Sequence, residues 1–175
     1  MKYRTRTPRR TANQCPNPES AAFSAATCAK SVVVTEENLI RRSSDRFRTA
    51  VEAGEIAGAA GLFREDAVFR SPVVYRPYVG RDTVLKVLGA AERVLGASGH
   101  FQYIHQLEDS GARVAILEFA TEVEGRQVEG IDKLTFDEDG RITELKVMLR
   151  PASALQVVGA RMAEEFARLG LDPVG

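Results

Sequence analysis

The 175-residue chain has no tryptophan, two cysteines, two histidines and three methionines, and aromatic residues make up only 7% of it. Cys15 and Cys28 are too few for a disulfide framework, and no nearby His or second Cys pair completes a zinc site. Net charge is also missing, because 24 Lys and Arg stand against 24 Asp and Glu. That balance removes the counterion-release term on which nucleic-acid binders rely. Apolar-rich stretches are broken by charge every few positions, so none reads as a transmembrane helix. There is no phosphate-cradling glycine run and no nucleophile elbow, which leaves nucleotide cofactors and a serine-hydrolase mechanism without support. The acidic turn Asp137-Glu138-Asp139-Gly140 lacks the spaced oxygen ligands and closing Glu of a calcium loop. These absences predict no metal, no cofactor, no nucleic-acid partner and no membrane partner.

What remains is 44% hydrophobic and 27% charged, the composition of one soluble globular domain with a sizeable core. Charge is unevenly spread. Residues 1–35 hold Lys2, Arg4, Arg6, Arg9, Arg10 and Lys30 against Glu19 alone, so the remainder is mildly acidic. That stretch, rich in Thr, Pro, Ser and small residues, lacks the apolar run of a secretory signal and reads as a disordered basic leader. A transit peptide or a mis-assigned start codon would share its composition. The expected compartment is the cytoplasm.

Order is expected from Thr35, which caps a helix with Glu36 and Glu37 at the positive end of its dipole and Ile40, Phe47 and Val51 on one face. Gly54 suits a stop. Ile56, Ala59, Ala60, Leu62 and Phe63 then predict a short second helix, and Ala67–Phe69 a short strand. An irregular segment with Pro72, Pro77 and Gly80 carries Tyr75 and Tyr78. Asp82 opens a third helix with Val84, Leu85, Val87, Leu88, Ala91, Val94 and Leu95 at helical spacing, ended by Gly96. From His100 the period falls to two, predicting strands over 100–108, 112–124, 127–136 and 141–149 joined by short turns as an antiparallel meander. Pro151 then starts a closing helix with Leu155, Val158, Met162, Phe166 and Leu169 on one stripe. The sum is an α+β domain with its helices on one face of a long curved sheet.

This order, with Phe47…Gly54-Glu55-Ile56…Leu62-Phe63-Arg64-Glu65-Asp66-Ala67 and Gly130-Ile131-Asp132…Phe136-Asp137…Gly140-Arg141-Ile142, resembles the nuclear transport factor 2-like superfamily, in its SnoaL-like and ketosteroid isomerase-like branch. The resemblance covers residues 36 to about 150. It implies a cone-shaped, mixed or antiparallel sheet with about three N-terminal helices on its concave face, to which residues 151–175 add a helix and tail. It also implies self-association as a homodimer. The relatives include isomerases, polyketide cyclases, dehydratases and non-catalytic binding modules, so the likeness specifies fold better than reaction.

Alternation assigns the strand faces independently of any relative. Leu117, Phe119 and Thr121 point inward, as do Val128, Gly130, Asp132, Leu134 and Phe136, then Leu145, Val147 and Leu149. On the first long strand the apolar parity puts Phe101, Tyr103, His105 and Leu107 inside and His100 outside. Asp132 alone breaks the apolar pattern, and a carboxyl on an oily face should resist ionisation. By the same resemblance it looks like the protonated Asp that donates to an oxyanion in ketosteroid isomerase. The candidate catalytic set is Asp132, with His105 as base or partner and Tyr75 or Tyr78 polarising a carbonyl. Phe47, Phe63, Phe69, Ser71, Phe101, Tyr103, Leu117, Phe119, Thr121, Val128, Gly130, Leu145, Val147 and Leu149 are the expected pocket lining. By the same likeness the isomerase's general-base Asp falls at Ser71 and its oxyanion Tyr at Phe47, so the chain is not a ketosteroid isomerase proper. The expectation is a protein that binds a small apolar, ring-containing metabolite and acts as a cofactor-free isomerase, cyclase or dehydratase. The alternative is a non-catalytic ligand-binding or dimerisation module with the same fold.

Overall fold

The computed structural model describes residues 36–171; the basic leader and both cysteines lie outside the described residues. Helix α1 runs Glu36–Glu52, followed by a 3-10 helix Ile56–Leu62, β1 Phe63–Arg70, β2 Tyr78–Val79, α2 Arg81–Leu95, β3 Gln102–Asp109, β4 Val114–Val123, β5 Arg126–Phe136, β6 Ile142–Arg150 and α3 Ala152–Leu169. The strands form one open six-stranded sheet in the order β2-β1-β6-β5-β4-β3. Every neighbouring pair is antiparallel except β1 with β6, so the sheet is mixed and curved, with the helices against one face.

Two early elements differ from the sequence expectation. Ile56–Leu62 is a 3-10 helix rather than an α-helix, consistent with two glycines in seven residues, Gly58 and Gly61. Phe63 does not end that helix. It opens β1, which pairs Phe63 with Ile142 and is therefore longer than the expected Ala67–Phe69. The core holds Phe47 from α1, Phe63 and Phe69 from β1, Val84 and Val87 from α2, and Leu117, Leu134 and Leu145 from the sheet. A second cluster, Val94, Val123, Val128, Ala154 and Val158, fastens the first half of α3. Phe166 joins the main core, whereas Leu169 at the end of the stripe is 37% exposed.

The meander keeps its expected parity on β4 and β5, whose residues alternate between buried and half-buried along most of their length. Strand β3 does not. Tyr103 pairs with Phe119, but the next registered pair is His105 with Glu118, so one extra residue, Ile104, is inserted. Beyond this bulge the faces swap. His105 and Leu107 turn outward and Gln106 takes the inner row, a correction to the expectation that simple alternation carries through the strand. Being an edge strand, β3 also has main-chain groups without a strand partner. Helix α1 supplies one set: Glu52 Oε1 accepts the Tyr103 N–H at 3.3 Å, and an Arg48 guanidinium N–H donates to the Tyr103 carbonyl at 3.0 Å.

Candidate functional site

A cavity of about 370 Å³ opens between the sheet and the helices, within the range of small-molecule sites. The sheet provides Phe119, Asp132, Val147 and Leu149, with Phe101 just ahead of β3; α1 provides Phe47 and Val51; α2 provides Leu88, Glu92 and Leu95. Helix α3 closes it with Val158, Met162 and Phe166.

Asp132 sits in the inner row of β5, opposite Leu117 on one side and Val147 on the other, and is 8% exposed. Its Oδ2 accepts a 2.5 Å hydrogen bond from the Tyr103 hydroxyl, which reaches diagonally across β4. Burial pushes the Asp132 carboxyl up to about 7, against a smaller downward pull from the Tyr103 hydrogen bond. The same burial, together with the Asp132 charge, holds the Tyr103 hydroxyl well above its usual value, so it remains a donor. Tyr103 is locked from several sides: its ring stands edge-on to Phe101 at 5.2 Å and to Phe119 at 6.1 Å, and Arg48 lies 5.9 Å from its centroid.

Gly130 has a steric reason for being glycine. A Cβ there would stand 2.7 Å from Leu149 Cδ2 and closer still to the Phe119 ring, so the bare position lets Phe119 lie across β5 as part of the cavity floor.

The sequence-derived set divides sharply. Asp132 and Tyr78 are buried and line the cavity. His105 does not: the bulge turns it to the outer face, where its Nδ1 lies 2.8 Å from Glu118 Oε2 and two-thirds of the side chain is exposed. Tyr75 is fully exposed at the tip of its loop and off the cavity wall. Phe47, Phe69, Ser71, Phe101, Phe119, Val147 and Leu149 line the cavity as expected. Phe63, Leu117 and Leu145 are core residues outside the lining, Val128 belongs to the cluster under α3, and Gly130 lies beneath Phe119. Thr121 is buried and donates to the Leu95 carbonyl at 2.6 Å, tying the end of α2 to β4. Ser71 faces the cavity while its Oγ accepts the amides of Val73 and Val74, at 3.1 and 3.4 Å. Tyr103 is not a wall residue but the partner of Asp132, a pairing that its inward parity made available to sequence reasoning. The contributions of Glu52, Glu92, Met162 and Phe166 depend on helix placement and had no strand-like signal.

Residues 44–145, more than half of the chain, match the SnoaL-like domain family. The chain belongs to that family. Among solved structures this SnoaL-like protein is similar to a steroid delta-isomerase from Pseudomonas aeruginosa, at 34% identity over 75% of this chain and 93% of the other, with a TM-score of 0.70. It is also similar to an uncharacterised protein with a cystatin-like fold from Silicibacter pomeroyi DSS-3, at 29% identity over 74% and 86% of the two chains, TM-score 0.64. The epoxide hydrolase/cyclase-like enzyme SalBIII of salinomycin pyran-ring formation shares the fold at 15% identity, over 67% and 96% of the two chains, TM-score 0.55. No curated protein matches the sequence. Among the described residues of this SnoaL-like chain, no group of three or more His, Cys, Asp or Glu could hold a metal, and no helix is long and apolar enough to cross a membrane.

Proposed function

We propose that this SnoaL-like protein binds a small, apolar, ring-containing metabolite in its cavity and acts on it by cofactor-free acid/base chemistry through Asp132. The carrying observation is the acid at the buried end of the cavity, Asp132, which burial pushes up to about 7 and which is held by a tyrosine that does not itself line the wall. Because Tyr103 occupies Oδ2, the carboxyl proton of the neutral form resides on Oδ1 and is available to a ligand oxygen. A single carboxyl of this kind closes a dehydration cycle alone. It protonates a hydroxyl that leaves as water, and the resulting carboxylate takes the proton from the adjacent carbon, which restores the acid as the carbon–carbon double bond forms. A cyclisation closes in the same manner, with an attacking hydroxyl as the proton source. Steroid isomerisation gains no support from Ser71, whose hydroxyl has no suitable pKa for a carbon acid, or from Phe47, which donates no hydrogen bond. Dehydratase or cyclase chemistry is therefore favoured over isomerisation on the residues present, although the steroid delta-isomerase is the more similar of the two named enzymes.

A second reading, a binder without turnover, is favoured by one observation: apart from Tyr103, no titratable group among the described residues acts on Asp132. The deciding experiment screens ring ketones and β-hydroxy ketones for binding and turnover with wild type and Asp132→Asn. Under the catalytic reading the variant retains binding within about tenfold and loses turnover by roughly 10²- to 10⁴-fold. Equal turnover in both removes Asp132 from the chemistry, and equal binding with no turnover in either selects the binder.

We also propose that the outer sheet face pairs two copies. His105, Glu118, Ile131 and Met148 form one row across it, and Leu107, Ile116, Lys133 and Lys146 the next. Four apolar residues, Glu118 and two lysines are mixed there, which suits a self-complementary patch. Ile104, Leu107 and Met148 are among its exposed members.

A further inference from the structure

The cavity lining is one-signed. It contains Asp132, Glu52 and Glu92 and, among the described residues, no Lys, Arg or His. These three carboxyls are not equivalent. Asp132 lies at the buried end. Glu52 is already compensated, its Oε1 accepting from Arg48 Nε at 3.1 Å and from the Tyr103 amide. The Glu92 carboxylate forms no hydrogen bond or ion pair with any described residue, although it is half-buried. The nearest cation in sequence, Arg93, is turned away to Glu165 at 2.6 Å.

The chain around Glu92 leaves it open to the cavity. Gly54, Gly96 and Gly99 line the same end. Gly54 has φ +68°, which favours glycine, and a Cβ there would stand 3.2 Å from Glu92 Oε1, so the turn after α1 leans directly on the carboxylate. Ala53, Gly54 and Gly99 are solvent-exposed, which places Glu92 at the mouth. With Asp132 at the buried end and Glu92 at the mouth, the two acids face separate ends of a bound molecule.

We propose that Glu92 determines ligand charge: the cavity takes ring compounds that carry a protonated amine on the end facing the mouth, and refuses isosteric anions. This rests on the reading of the cavity as a ligand site. An anion entering such a site meets a carboxylate that no cation of the lining offsets, whereas an ammonium forms a charge-assisted hydrogen bond with it.

The test uses three probes of one shape, 2-naphthylmethylamine, 2-naphthylmethanol and 2-naphthoate, titrated calorimetrically into the full chain and into Glu92→Gln. At about pH 6 the amine and carboxylate are charged while burial keeps Asp132 largely neutral. The wild type should bind the amine about five- to tenfold more tightly than the alcohol, and the alcohol more tightly than the carboxylate. In Glu92→Gln the amine's advantage should shrink to about twofold or less while alcohol affinity is unchanged, and in wild type it should shrink as salt is raised. Alcohol binding with no preference for the amine, or a preference that survives Glu92→Gln, overturns the role of Glu92 and leaves the ligand site standing. Failure of all three probes to bind overturns both.

Discussion

Tyr103 and Asp132 are joined by a 2.5 Å hydrogen bond that spans two strands, and the main chain of the same tyrosine is gripped from behind by Arg48 and Glu52 of α1. The helix thereby fixes the acid through an intermediary: α1 holds the strand edge, the edge holds the phenol, and the phenol holds Oδ2. Tyr103 is a positioning residue in this arrangement.

Replacing Tyr103 with Phe removes the one contact that favours the Asp132 carboxylate, so the Asp132 midpoint should rise above its wild-type value of about 7. The loss of stability should be about 1–2 kcal/mol at pH 8 and smaller at pH 5, where the carboxyl is neutral. Carbon-detected NMR of the carboxyl reads the midpoint directly. A midpoint that stays or falls removes Tyr103 as the anchor of Oδ2.

Asp132→Asn should reverse a stability trend. A carboxyl raised from an ordinary 3.8 to about 7 binds its proton more tightly in the folded state. Its contribution is therefore full below about pH 4 and is lost as pH rises through 7. The change corresponds to a folding penalty on the order of 4 kcal/mol above pH 7. The asparagine variant should thus be more stable than wild type at pH 8 and close to it at pH 4. Urea denaturation at both values checks this, and an equal offset at the two refutes the buried, proton-binding acid.

Gly130→Ala should displace the Phe119 ring or the Leu149 side chain into the cavity, because an added Cβ has nowhere else to go. Overpacking of this kind costs about 1–3 kcal/mol and should weaken binding of any ring ligand. Thermal denaturation and titration of 2-naphthylmethanol measure the two effects together. Unchanged values in both would mean that Phe119 is not held against that glycine.

His105→Ala should leave binding and turnover within about twofold of wild type, since the imidazole faces away from the cavity and pairs with Glu118. The exposed pair should contribute less than about 1 kcal/mol to stability. A large fall in turnover in a variant that remains folded would place His105 back in the chemistry.

Leu107→Glu and Met148→Lys, on the outer face, should each convert the proposed dimer to monomer without unfolding it, because both residues are more than half exposed in the single chain. Sedimentation of wild type and variants decides the matter. A wild type that sediments as a monomer removes the proposed pairing, and a dimer untouched by both changes assigns it to another surface.

The residues that sequence reasoning located well are those governed by a simple period. Leu117, Phe119 and Thr121 on β4, and Val128 to Phe136 on β5, lie on the expected face because uninterrupted pleating leaves no freedom to do otherwise. Asp132 was visible for the same reason, as the one polar residue on an apolar row. His105 was misplaced because a one-residue bulge reverses everything beyond it, and no residue type at Ile104 signals it. Tyr75 and Tyr78 differ for another reason. Two residues, Tyr78 and Val79, pair with β1 as a short strand that draws Tyr78 inward, while Tyr75 stays on the open loop. Lining from α2 and α3 escaped because an amphipathic stripe says which face is buried, not whether it borders packed core or empty space.

Helix α3 lies beyond the stretch that matches the family, yet Val158, Met162 and Phe166 complete the enclosure around the acid. The acid and its tyrosine partner thus belong to the meander, whereas much of the wall around them comes from an appended helix outside the family match. Recasting Met162, which borders the cavity from α3, thus alters the room beside Asp132 without touching the strands that carry it.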